Sequence, residues 1–254
     1  MGEPFKCIRR LRGNLVVNFI STRGDQSYGI DDVLAKGIAD DGGLFIPEEL
    51  PYINHEALPA KMSLTDTAEA LLAPYFKESI LQNNLNQIIK ESLYFSIPSV
   101  KILPEKNVWF LELFHGPTAA FKDVGAGFLA SCMSRLNSSE TKPLVVLVAT
   151  SGDTGGAVAA AFHGLPNVKV IILFPKDKVS KRQEKQLTCW GGNILSLTVN
   201  GTFDDCQTLV KDIFIDPKLS ARYRFSSANS INFGRLLPQS IYYAHSSLNH
   251  FRQS

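Results

Sequence analysis

From residue 107 onward, apolar runs of strand length alternate with helical stretches. This alternation predicts an α/β fold whose parallel sheet carries helices on both faces. The runs at 108–114, 144–150, 168–174 and 193–199 are apolar or β-branched, and 124–136, 155–162 and 180–190 between them read as helices. After the last strand, Phe203, Cys206, Leu209, Val210, Ile213 and Phe214 form one apolar stripe at helical spacing.

The first hundred residues predict a different, mainly helical part. Ser63 is a good N-cap for a helix over 64–76, where Leu64, Ala68, Leu71, Leu72 and Tyr75 share a face. Leu81, Leu85, Ile88 and Ile89 repeat the pattern over 81–93. The interruption Ala39-Asp40-Asp41-Gly42-Gly43-Leu44-Phe45-Ile46-Pro47 reads as a chain reversal. Pro98 and Pro104 bracket a crossing segment, so the expected organisation is a helical part, 1–100, and an α/β part, 101–254.

Composition narrows the function classes. The 254 residues hold 26 Lys+Arg and 24 Asp+Glu, a net charge of +2 that leaves no nucleic-acid footprint. With 44% hydrophobic and 20% charged residues the chain is ordinarily globular. The longest aliphatic run, 144–149, is a third of what a bilayer span of about 18 to 20 residues needs, so no membrane association is expected. Cys7, Cys132, Cys189 and Cys206 form no CxxC pair, so neither a zinc site nor any other metal site is expected, and the cytoplasm is the expected compartment. The basic N-terminus, Lys6, Arg9, Arg10 and Arg12 beside Phe5, Ile8 and Leu11, reads either as a mitochondrial presequence or as a plain terminal extension.

In open α/β sheets the ligand lies beyond the carboxyl ends of the strands, which directs attention to the turns after Phe114, Thr150 and Phe174. The first runs Glu112-Leu113-Phe114-His115-Gly116-Pro117-Thr118-Ala119-Ala120-Phe121-Lys122-Asp123 into a helix. An apolar setting and a helix N-terminus both disfavour a charged ammonium, and a neutral amine is what imine formation requires, so Lys122 is a candidate Schiff-base nucleophile. The plain alternative is a surface lysine whose stem covers Phe121. His115 reads either as an acid or base or, more simply, as a structural residue.

The second turn, Thr150-Ser151-Gly152-Asp153-Thr154-Gly155, reads as a cradle for a small anion or as a tight turn with a helix cap. It lacks the Gly-Lys-Ser/Thr ending of a P-loop. Gly125-Ala126-Gly127-Phe128-Leu129-Ala130 fits G-x-G-x-x-A but stands too far from a strand for a dinucleotide fingerprint, which leaves helix packing as its reading. Finally, Ser226-Ser227-Ala228-Asn229-Ser230-Ile231-Asn232-Phe233-Gly234-Arg235 concentrates hydrogen-bonding groups before a helix and reads either as a segment that could hold a dianion, Arg235 through its guanidinium fork, or as a loop with an Asn cap.

Together these segments resemble the threonine synthase family, in the branch shared by enterobacterial and fungal enzymes and vertebrate threonine-synthase-like proteins. Ser21-Thr22-Arg23-Gly24, the 39–47 segment, Leu113 to Thr118 with Phe121-Lys122-Asp123, Ala149 to Gly155, and Ser227 to Asn232 carry the likeness, in family order, over residues 21–247. The resemblance implies the tryptophan synthase β-type fold, fold type II among pyridoxal phosphate enzymes, and conversion of O-phospho-L-homoserine and water to L-threonine and phosphate. It implies that Lys122 holds pyridoxal 5′-phosphate and, once displaced by the substrate amine, moves protons at Cα and Cβ. It implies cofactor contacts from Phe121, Asp153 and Thr154, and contacts to the small-molecule substrate from Ser151, Gly152 and Thr154 at its carboxylate and from Asn229, Ser230, Asn232 and Arg235 at its phosphate. Family members continue past this length to a glycine-rich turn that grips the cofactor phosphate. The sequence stops at Ser254 before it, which reads as the N-terminal portion of a longer protein or as a shortened product. A phospho-lyase releasing a keto acid and a non-catalytic fragment are the rival readings.

Overall fold

Six consecutive apolar residues, Leu144 to Ala149, make strand β8, and all six are buried. Leu144, Val146 and Val148 enter the main core while Val145, Leu147 and Ala149 enter a second, smaller one. A strand alternates its side chains between two faces, so a run without polar residues needs cover on both.

The computed structural model describes residues 10–11, 16–59, 61–138, 140 and 142–251. Of the N-terminal positions considered above, Phe5, Lys6, Cys7, Ile8, Arg9 and Arg12 and the side chains of Arg10 and Leu11 lie outside the described residues. The elements are β1 (Arg10–Leu11), β2 (Phe19–Ser21), β3 (Ser27–Tyr28), α1 (Ile30–Lys36), β4 (Phe45–Pro47), β5 (Leu50–Pro51), α2 (Leu64–Leu72), α3 (Leu85–Ser92), β6 (Ser99–Leu103), β7 (Val108–Leu111) and α4 (Lys122–Leu136). They continue as β8, α5 (Asp153–Phe162), β9 (Val168–Pro175), α6 (Lys181–Thr188), β10 (Ile194–Val199), α7 (Phe203–Ile215), α8 (Pro217–Arg222), β11 (Arg224–Ser227), α9 (Phe233–Leu236) and α10 (Gln239–Phe251).

The central sheet has the order β10-β9-β8-β11 and is parallel throughout. Helices α5 and α6 pack on one face and α7 on the other. From β8 the chain moves outward through β9 and β10, then returns across the sheet to place β11 on the other side of β8. The strand order therefore reverses beside the carboxyl end of β8, where ligand crevices form in such sheets.

Three sequence expectations are corrected. The 108–114 run is not a strand of this sheet: β7 pairs antiparallel with β6 in a separate two-stranded ribbon, and Trp109 and Phe110 are exposed. An apolar run shows strand length without showing which partner it takes. The fourth strand, β11, falls in polar sequence read as loop; Ser226 and Ser227 are buried by pairing with β8. The first part is also less purely helical than its periodicity indicates, since β3-β2-β4 form an antiparallel sheet around the predicted chain reversal. There Gly42 adopts φ 75°, a region a side chain disfavours.

The two predicted helices of the first part are shorter than their periodicity indicates: α2 gives way at Ala73 to a tighter 3-10 turn containing Pro74, and α3 starts at Leu85 after another such turn. Ser63 caps α2, accepting from the Asp66 N–H at 3.0 Å while its own N–H donates to Asp66 Oδ2 at 3.2 Å. Helix α4 has ten buried residues, and a Cβ on Gly125 would fall 2.7 Å from the carbonyl oxygen of Arg235. That supports the packing reading of the 125–130 glycines.

Candidate active site

Lys122 is the first residue of α4, and the loop before it is folded around its neighbour. Asp123, 4% exposed, accepts from the Thr118 N–H at 2.9 Å, the Thr118 hydroxyl at 2.5 Å and the Ala120 N–H at 3.5 Å. The same carboxylate lies against Gly116, whose Cβ would meet Oδ2 at 2.5 Å. Asp123 thus fixes where the helix begins, and with it the origin of the Lys122 side chain.

The Lys122 side chain is 23% exposed, its Nζ lying 4.3 Å from the centre of the Phe121 ring and 3.7 Å from Asp153 Oδ2. The surroundings are only partly the apolar ones the sequence indicates, because a carboxylate faces the amine across the site. His115 bonds through Nε2 to Glu112 Oε2 at 2.7 Å within its own loop, in keeping with the structural reading.

Asp153 opens α5 at the carboxyl end of β8. The buried Thr150 builds this turn: its hydroxyl oxygen accepts from the Gly152 and Gly155 N–H groups and donates to the Gly152 carbonyl, each at 3.0 Å. Gly152 sits at φ 146°, and a Cβ on it would fall 2.3 Å from Gln183 Nε2. Gln183, from α6, donates to Asp153 Oδ1 at 2.9 Å. Ser151 is exposed and Thr154 half-buried. Of the first-turn N–H groups of α5, those of Gly155 and Gly156 are used within the turn, and those of Asp153 and Thr154 are left at the carboxyl end of β8, a setting that favours an anion.

The 226–235 segment divides. Asn229 spans the point where the strand order reverses, its Oδ1 accepting from the Ala149 N–H at 3.2 Å and its Nδ2 donating to the Ala149 carbonyl at 2.7 Å. Ser230 is exposed beside it. Asn232 is fully buried, donating to the Leu34 and Ser227 carbonyls at 3.3 and 2.9 Å and accepting from the Gly234 N–H at 2.9 Å. That amide latches α1 to the end of β11, so its direct work in this conformation is structural. Arg235, 3% exposed, donates from Nη1 to the Ala228 carbonyl at 2.6 Å, and its Nε has no hydrogen-bond partner among the described residues. Burial pushes its guanidinium down to about 10.

The fold therefore brings Phe121, Lys122, Ser151, Gly152, Asp153 and Thr154 into one mouth, with Asn229 and Ser230 at the adjoining strand end, and sets Asn232 and Arg235 behind it. Sequence reasoning left Thr150, Asp123 and Gln183 without roles. The first two stand inside the quoted motifs; Gln183 shows only a Ser180-x-x-Gln183 capping signal.

Residues 88–237 match the family model described as pyridoxal-phosphate dependent enzyme, and 18–93 match that of the threonine synthase N terminus. The chain belongs to the pyridoxal-phosphate dependent enzyme family. This family member is 44% identical over 209 residues to the threonine synthase of Buchnera aphidicola subsp. Baizongia pistaciae, the match covering 82% of this chain and 48% of that protein. Against threonine synthase of Escherichia coli K12 the identity is 42% over 221 residues, covering 86% and 51%. The crystal structure of threonine synthase from Escherichia coli superposes with a TM-score of 0.81 at 37% identity, covering 93% of this chain and 54% of that one. Pyridoxal-phosphate-bound threonine synthase from Brucella melitensis gives 0.80 at 37% identity, covering 91% and 52%. The chain spans about half the length of the relatives it matches.

The residues fit the family's cofactor, pyridoxal 5′-phosphate. A solvent-reachable amine stands at the mouth of a parallel sheet, with an aromatic ring beside it and a carboxylate and a helix N-terminus opposite. The amine suits an aldehyde, the aromatic ring an aromatic cofactor and the helix N-terminus an anionic group, while the carboxylate complements the amine.

Proposed function

We propose that this protein acts as a threonine synthase, converting O-phospho-L-homoserine and water to L-threonine and phosphate, with pyridoxal 5′-phosphate held on Lys122. The observation that carries the reading is the approach of Lys122 Nζ to Asp153 at the carboxyl end of β8. When bound, the cofactor supplies an aldehyde for the amine and a ring that delocalises charge developing at the substrate Cα. Phe121 stands beside the lysine amine, and Asp153 and Thr154 would help hold the cofactor. Lys122, once free, takes the proton from Cα and moves protons at Cβ. Ser151, Gly152 and Thr154 orient the substrate carboxylate through hydroxyl and N–H groups at the start of α5.

Asn229, Ser230, Asn232 and Arg235 are assigned to the substrate phosphate. Ser230 presents an exposed hydroxyl, Asn229 and Asn232 hold the segment in place, and Arg235 supplies positive charge behind it. The guanidinium is attracted by the Asp123 carboxylate and its Nε lies against Gly125 of α4, so what supports the assignment is its buried positive charge and not a free donor aimed at the mouth. No nucleic acid or membrane partner is proposed. Free Cys132, Cys189 and Cys206 support a reducing compartment, the cytoplasm, and no helix among the described residues is long and apolar enough to cross a membrane.

The test is direct. Incubating the full chain with pyridoxal phosphate and reducing with borohydride should fix pyridoxyl mass on Lys122, and Lys122→Ala should lose it; mass found elsewhere would defeat the assignment. Threonine as the product from phosphohomoserine supports the reaction, whereas 2-oxobutanoate and ammonia would make the protein a phospho-lyase.

A further inference from the structure

Gln183 lies 30 positions from Asp153 in sequence and on another helix, yet its amide is fixed on both sides. As the third residue of α6 it completes a capping box: Oε1 accepts from the Ser180 N–H at 3.1 Å and from the Ser180 hydroxyl at 3.0 Å. Those donors settle which end of the amide is the acceptor. Nε2 must then point away from α6, and it donates to Asp153 Oδ1 at 2.9 Å. The remaining carboxylate oxygen, Oδ2, is the one that faces Lys122 Nζ at 3.7 Å.

This arrangement is not what an aspartate at the start of a helix adopts unaided. Its carboxylate is 48% exposed and stands at the Asp153 and Thr154 N–H groups that open its own first turn, which attract an acceptor, while the Gly155 N–H is taken by Thr150. The Gln183 amide holds it outward instead. The amide also lies against Gly152, where a Cβ would fall 2.3 Å from Nε2 and 2.5 Å from Cδ, so the absence of a side chain at 152 is what lets α6 reach the turn.

We propose that Gln183 is a positioning residue that aims the Asp153 carboxylate at Lys122 and keeps it off the Asp153 and Thr154 N–H groups, which stay clear for an anionic ligand. The inference rests on the reading of Lys122 as the cofactor lysine.

Gln183→Glu separates this role from helix capping. A carboxylate at that position still accepts from Ser180, so α6 keeps its cap, but it cannot donate to Asp153 and repels it. The measurement is pyridoxal phosphate uptake by the full chain, read from the absorbance of the lysine adduct and located by borohydride trapping and peptide mass. The expected result is an unchanged thermal midpoint, uptake weakened roughly fivefold or more and a shifted absorbance band. In an Asp153→Asn background the same substitution should add no further loss. Unchanged uptake, losses that simply add, or a lowered midpoint accounting for the loss would overturn the positioning role while the Lys122 assignment stands. A wild-type chain forming no adduct on Lys122 would overturn both.

Discussion

Thr150 and Arg235 show how single side chains in this mouth serve different ends. The Thr150 hydroxyl is buried and engages two N–H groups and one carbonyl of the turn. Thr150→Val keeps the shape and removes the oxygen, so the fold should lose about 1 to 3 kcal/mol in a denaturant titration and adduct formation should weaken with it. Arg235 is the opposite case. Its guanidinium is desolvated, with Nε unpartnered among the described residues and Asp123 attracting it without a hydrogen bond among them, and replacing an incompletely compensated buried charge by an apolar chain is often neutral or stabilising. Arg235→Met should therefore keep or raise the urea midpoint while weakening competition by inorganic phosphate at the site; a clear drop in midpoint would show the arginine to be there for stability.

Between elements, α3 and α4 are joined by Glu91, which accepts from Arg135 Nη1 and Nη2 at 2.9 Å each and from the Ser131 hydroxyl at 2.6 Å. The Arg135 hydrogen bonds lead in lowering the Glu91 carboxyl from 4.5 to about 2, with Ser131 and Gln87 assisting against burial. A carboxyl whose folded value is depressed contributes stability that is complete above its unfolded value and lost as the pH falls. The loss from this link should accordingly run from about pH 4.5 down to about pH 2, and Glu91→Gln should flatten that part of the stability profile. Helix α4 meets α9 through Gly125. Gly125→Ala forces a methyl toward backbone that cannot swing away, which should cost about 1 to 3 kcal/mol in thermal or urea unfolding.

At the scale of the molecule, the main core runs without a break from Val17 and Phe19 through Leu72 and Ile88 to Phe128, Val146 and Tyr242. The division into 1–100 and 101–254 is a proposal about sequence modules, and packing couples the two. Leu34 and Leu129 both press on Gly234, and Thr67 bonds His245 across 178 positions at 3.1 Å. Calorimetry of the full chain should therefore show one transition; two well-separated transitions would mean that each part carries a sufficient core of its own.

The sequence by itself determined what depends on neighbours a few positions apart. The cap at Ser63, the unbroken apolar run of β8, the stripe of α7 and the placement of Lys122 at a helix start were all legible, because periodicity and capping act within one or two turns. The motif residues that carry the family likeness were legible too, as was the parallel character of the sheet. Only the tertiary structure decided which strands share that sheet and which polar groups meet. β7 is apolar but joins a ribbon, and β11 is polar but is buried against β8. Asn232 reaches the carbonyl of Leu34 across 198 positions, and Gln183 finds Asp153 across 30. Such choices turn on desolvation and hydrogen-bond pairing between segments remote in the chain, and no local pattern encodes which donor will find which acceptor.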